Sequence, residues 1–101
     1  MTGEAAPGED WDAVMLNAAD TVATALKPIA AGAAIRIKAP NGMRTLTARD
    51  AVPLFHKIAL VALAAGTVVK KYGEVIGETS AAIEAGAHVH THNLVSRRAK
   101  R

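Results

Sequence analysis

The chain has 101 residues and a mild net charge of +3, which bounds it to one small domain with a single modest core. Half the residues are hydrophobic, yet Trp, Tyr and Phe occur once each, so the core must be aliphatic and thin enough to lean on a partner surface. The absence of cysteine excludes disulfides and thiolate metal sites, and no apolar run approaches the ~18 residues needed to span a membrane.

Residues 1–12 are acidic and rich in small residues, which predicts a disordered arm. The arm has no basic region followed by an apolar run, so it is not a signal peptide and a cytoplasmic protein is expected. Trp11, Val14 and Met15 fit helical spacing, and Trp11–Asn17 is read as a short helical turn or a docking segment. Trp11 itself suits a core anchor or a partner contact. A repeating device follows. Ala25–Ile35, Ala59–Val69 and the shorter Ala82–Val89 each run through apolar residues to a glycine and then into a β-branched or alternating stretch. Gly32, Gly66 and Gly86 mark three sharp corners, so strands are preferred over helix despite the abundant alanine.

Between the first two corners, Asn41-Gly42 after Pro40 predicts a hairpin, with a short strand continuing through Thr45–Thr47. His56–Leu63 is apolar on both faces after its first two residues and reads as a central strand with His56 and Lys57 at its entrance. Tyr72-Gly73-Glu74 reads as a tight turn behind Lys70 and Lys71. Those lysines either guard an exposed edge or steer an anionic substrate. Gly73 and Gly77 are read as backbone requirements.

Gly86-Ala87-His88-Val89-His90-Thr91-His92-Asn93-Leu94 carries three of the four histidines at alternating positions. In a strand, His88, His90 and His92 share one face, and three imidazoles make poor core filling. The face is either solvated or a site for a metal or an anionic ligand. Alternate strand residues lie ~6.6 Å apart, so neighbouring pairs can share a ligand while His88 and His92 cannot easily do so. The basic tail, 96–101, reads as a solvated tail. With no aromatic residue beside it to stack on bases, neither a nucleic-acid nor a membrane partner is expected.

Taken in order, His56-Lys57-Ile58-Ala59-Leu60, the Ala65-Gly66 corner, Lys71-Tyr72-Gly73-Glu74-Val75-Ile76-Gly77 and Gly86–Leu94 resemble the small SAF-type domain of the altronate/galactarate dehydratase family of hydro-lyases. The resemblance covers about residues 13–95. It implies an all-β fold of the β-clip type, with short, sharply bent strands and little helix. It also implies a small subunit that completes the active site of a separate large catalytic subunit, in a hetero- or homo-oligomer. The substrate would be a small sugar acid, and the divalent metal, Fe2+ or Mn2+, would be held jointly with that subunit. The related sulfolactate sulfo-lyase has such a small subunit too. Phe55 departs from the pattern, because many relatives have glycine directly before the His-Lys pair.

Dehydration of a sugar acid needs a base for the proton beside the carboxylate, an acid for the departing oxygen and a cation for the building charge. On this resemblance His56, His90 and His92 are the expected catalytic residues, and His88, His90 and His92 the expected metal ligands. Lys57, Lys71, Tyr72 and Asn93 are the expected substrate contacts. The competing readings are a non-catalytic carbohydrate- or anion-binding module and, on charge alone, a nucleic-acid contact through the tail.

Overall fold

A computed structural model of the protein describes residues 11–96 and shows nine short strands and no helix among them. The expected disordered arm and basic tail lie almost wholly outside the described residues. The strands are β1 (Ala13–Val14), β2 (Val22–Ala25), β3 (Ala34–Ala39), β4 (Gly42–Thr47), β5 (Lys57–Ala59), β6 (Val68–Lys71), β7 (Glu74–Thr79), β8 (His88–Val89) and β9 (Leu94–Ser96). They form a six-stranded sheet of order β4-β3-β1-β2-β5-β8 and a three-stranded sheet of order β6-β7-β9. Neighbours are antiparallel except β1 and β3. The all-β expectation holds.

Local chemistry accounts for the hairpins. β3 reads Ala-Ile-Arg-Ile-Lys-Ala and buries Ile35, Ile37 and Ala39 on one face, as period-two alternation requires. Pro40 and Asn41 form its tip before β4 returns. Tyr72 and Gly73 both have positive φ, 55° and 85°, the backbone of a two-residue hairpin turn whose twist matches the flanking strands.

Two aliphatic cores meet at β2 and β5. Ala23, Ala25 and Ile58 point into a cluster with Ile29, Ile35, Ile37, Val52 and Leu60. Val22 and Ala59, on the opposite faces, join Leu63, Val69, Ile83 and Val89. That is why β2 is buried along its whole length.

The three glycine corners are present, with φ of 86° at Gly32, 80° at Gly66 and 87° at Gly86. They belong to a two-fold internal repeat. In the first half an antiparallel bridge joins Ile29 to Val52; in the second, Leu63 joins Ile83. Gly32 N–H donates to Ala48 O and Gly66 N–H to Thr79 O at equivalent places. Each half then turns a second corner, where Phe55 N–H reaches Ala25 O and Gly86 N–H reaches Ala59 O. The repeat therefore has four corners. The fourth was hidden from glycine spacing because Phe55, with φ of 69°, occupies it.

Three other expectations need correction. Trp11–Asn17 makes no helical turn. β1 pairs with β2 and β3, and Trp11 lies against the Arg36 guanidinium, 5.2 Å from the ring centre. The strand at 56–63 stops at Ala59, since the chain must leave the sheet to reach the Leu63 bridge, and Val61 and Ala62 are exposed. The strand expected through His92 stops at Val89, for a reason given below.

The N-terminal segment is tied down by carboxylates. Asp12 accepts from Arg36 N–H at 2.7 Å and pairs with Lys27 at 3.3 Å. Buried Asp20 accepts from Gly73 N–H at 2.8 Å, joining this segment to the β6–β7 turn.

Gly32 and Gly86 share a backbone conformation but not a setting. A Cβ at Gly32 would meet open space, whereas one at Gly86 would collide with the Thr47 carbonyl oxygen. Gly32→Ala should therefore cost about 1 kcal/mol, the left-handed penalty alone. Gly86→Ala should cost about 3 kcal/mol or more, because main chain cannot yield. Urea denaturation of both variants checks this; equal costs would contradict it.

Candidate active site

The site is built where β5 pairs with β8. Lys57 lies opposite Val89 and Ile58 opposite His88, so the same ladder carried one step further brings His56 to His90. Their rings stack with centroids 3.9 Å apart. His56 Nδ1 and His88 Nε2 are 2.8 Å apart and share a hydrogen bond, which requires at least one of the two imidazoles to offer a lone pair. One nitrogen from each of His56, His88 and His90 falls within 4.8 Å of the others, a separation a single metal ion can span.

Asn93 ends the strand and shapes this loop. Its side chain accepts from His90 N–H at 3.0 Å and donates to His88 O at 2.9 Å, while Leu94 N–H returns to His90 O. This turn competes with any continuation of β8, so His92 leaves the strand line. Its ring instead comes to 5.1 Å from that of His88. The convergent set is thus His56, His88 and His90, where strand spacing had grouped His88, His90 and His92. Asn93 contacts the histidine backbone in this structure.

Beside the histidines, a cleft of about 330 Å³ opens at the seam between the sheets, lined by Lys57, Lys71, Ile76, His90, Thr91, Leu94 and Ser96. Neither lysine forms an ion pair with a carboxylate of the described residues, although Glu74 lies opposite Lys71 in the β6–β7 ladder. Burial and the Lys71 charge hold the Lys57 ammonium below its usual pKa. An anion entering the cleft would oppose this shift by pairing with the ammonium. Tyr72 does not line it: its hydroxyl donates to Thr24 Oγ1 at 3.1 Å, and its ring lies 5.0 Å from Lys71 Nζ.

Desolvation, then repulsion from His56, His92 and His90, lowers the His88 pKa, opposed by the Asp50 carboxylate. Asp50 also accepts the His88 backbone N–H at 2.9 Å. His90 is lowered by lost hydration, then by His56, Lys57 and His92. Both rings are thereby kept neutral, the state that can bind a metal or take a proton. Sequence spacing did not mark Asp50, Thr91 or Ser96. Their types are common on surfaces; Thr91 sits within the histidine run itself, and the folded chain brings Asp50 and Ser96 to the site.

A family profile described as the altronate/galactarate dehydratase SAF domain matches residues 11–97. The chain is 45% identical over 62 residues to the (2R)-sulfolactate sulfo-lyase subunit alpha of Paracoccus pantotrophus, covering 61% of this chain and 92% of that one. It is 41% identical over 80 residues to the altronate dehydratase of Escherichia coli strain K12, covering 79% of this chain and 15% of that enzyme. The subunit alpha from Chromohalobacter salexigens is 42% identical over 50 residues, half of this chain and 53% of its own length.

The unfolded chain carries imidazoles near the ordinary value of 6.5, and the folded His88 and His90 lie lower. Between those values the unfolded state binds more protons, so stability must fall as pH drops below about 6.5. The thermal midpoint of chelator-treated protein should decline between about pH 7.5 and 5.5, a window that spares most carboxylates. His56→Gln should flatten that decline. A midpoint that holds or rises on acidification would contradict the clustered arrangement.

Proposed function

The chain belongs to the altronate/galactarate dehydratase SAF domain family, and on that premise we propose that it is the small subunit of a lyase acting on a hydroxy acid. The observation that carries the reading is the convergence of three imidazoles beside a cleft with two lysines that form no ion pair among the described residues. The name "subunit alpha" carried by two relatives supports a working unit with a second chain.

In this reading Lys57 and Lys71 bind the acid group of the substrate and orient it toward His90. Thr91 offers a hydroxyl to the carbon chain, and Ile76 and Leu94 floor the cleft and exclude water. Elimination then moves one proton and two electron pairs. The proton on the carbon beside the carboxylate passes to a base other than the three histidines whose lone pairs a metal would occupy, the released pair forms the carbon–carbon double bond, and the group on the next carbon departs with its bonding electrons. His92, exposed beside His88 and outside that trio, would serve as this base or as the acid for a departing oxygen.

The donor set also fits a divalent metal. His56, His88 and His90 would supply nitrogen ligands suited to iron(II) or manganese(II), with the remaining positions filled from the partner. Such an ion would stabilise the charge that builds on the carboxylate. The reaction balances equally with sulfite as the leaving group, and the match to 92% of the Paracoccus subunit favours that reading as much as the match to altronate dehydratase favours water loss.

The test is turnover by the chain purified with its large subunit and supplied with iron(II) or manganese(II). Altronate, galactarate and sulfolactate are offered in turn, with sulfite release separating the sulfo-lyase from the dehydratases. Lys57→Gln with Lys71→Gln should raise KM about tenfold or more, the loss of one charge-assisted contact, with a smaller fall in kcat. Removal of metal by a chelator should abolish turnover, and addition should restore it. Full activity in the double lysine variant, or in its His56→Asn, His88→Asn counterpart, would refute the reading.

A further inference from the structure

The internal repeat has four equivalent corners, and three of them use glycine. The fourth holds Phe55 at φ of 69°, a conformation that costs a bulky side chain free energy a glycine would not lose. Folding recovers little of that cost, because Phe55 is 67% exposed. Leu54 beside it is 43% exposed. Leu26 is 41% exposed and follows Ala25, whose carbonyl accepts the Phe55 N–H at 2.9 Å. Three large apolar side chains thus face outward at one edge, with no charged residue among Pro53, Leu54 and Phe55. The next residue is His56, which belongs to the histidine cluster.

We propose that Phe55, flanked by Leu54 and Leu26, is the anchor by which this chain docks on the large subunit of the lyase. The proposal rests on the two-subunit reading above and adds the contact surface to it. A chain that closes over His56 meets Phe55 one residue away, and exposed aromatic side chains are enriched at the centres of such contacts. The left-handed backbone turns the ring outward, where an aliphatic pocket of the partner can take it. In the related altronate dehydratase the matching stretch is 15% of a much longer chain, so the same domain is there joined to a larger body.

The proposal separates the stability of the chain from its affinity for the partner. Phe55→Gly restores the backbone preference of the other three corners while deleting the ring. The thermal midpoint of the isolated variant should stay within about 2 °C of the parent or rise. Its affinity for the large subunit, measured by calorimetry, should fall at least tenfold, with Leu54→Ala intermediate. A midpoint lower by more than about 5 °C with affinity unchanged would make Phe55 a structural residue and overturn the proposal. So would self-association of the parent chain in sedimentation that Phe55→Gly abolishes while leaving the affinity for the large subunit intact. If the parent chain and the large subunit form no complex at all, the two-subunit reading fails first and the anchor with it.

Discussion

The register between β5 and β8 is the constraint on which both the fold and the site depend. β8 is two residues long, yet it closes the edge of the six-stranded sheet beside a central strand. With Lys57 opposite Val89, Val89 drops into the second core and the histidines on either side of it turn toward His56. A slip of one residue would send Val89 out and the imidazoles into an aliphatic core, where two polar nitrogens per ring would go unpaired. The core therefore enforces the geometry of the site. The corner at Gly86 delivers β8 to this position, and its close approach to the Thr47 carbonyl leaves the chain little freedom there.

The same architecture makes the cleft. After Val89 the chain must cross from the first sheet to the second, and the Asn93-capped turn is the crossing. The cleft lies along that seam, with Lys57 from one sheet and Lys71 from the other. Two cations held near each other repel, and that repulsion suits the cleft to an anionic ligand. Asp50 and Asn93 hold the backbone of His88 from two sides, which suits a group whose nitrogen must stay aimed.

Much of the fold was legible wherever a single residue controls the backbone. Gly32, Gly66 and Gly86 announced corners because positive φ is nearly theirs alone, and Tyr72-Gly73 and Asn41-Gly42 announced hairpins for related reasons. The fourth corner was illegible because Phe55 takes the same conformation against its own preference. The convergence of His56 with His88 and His90 spans more than thirty residues of chain and depends on strand pairing, which no local pattern encodes. Strand spacing kept His92 away from His88; the Asn93 turn, a local competitor to the ladder, takes it off the strand line and brings its ring beside that of His88, outside the three-nitrogen set. The lysines were visible as candidates, but only the seam between the sheets puts Lys57 and Lys71 in one cleft.

The account's central claim is that the β5–β8 ladder assembles His56, His88 and His90 into a single ligand set. X-ray absorption at the metal edge, on the chain loaded with one equivalent of cobalt(II), tests it most directly. The account predicts scattering from three imidazoles, falling to two in His56→Asn and unchanged in His92→Asn. An imidazole count that ignores His56 and falls with His92 instead would show that the histidines act along one strand, and would contradict it.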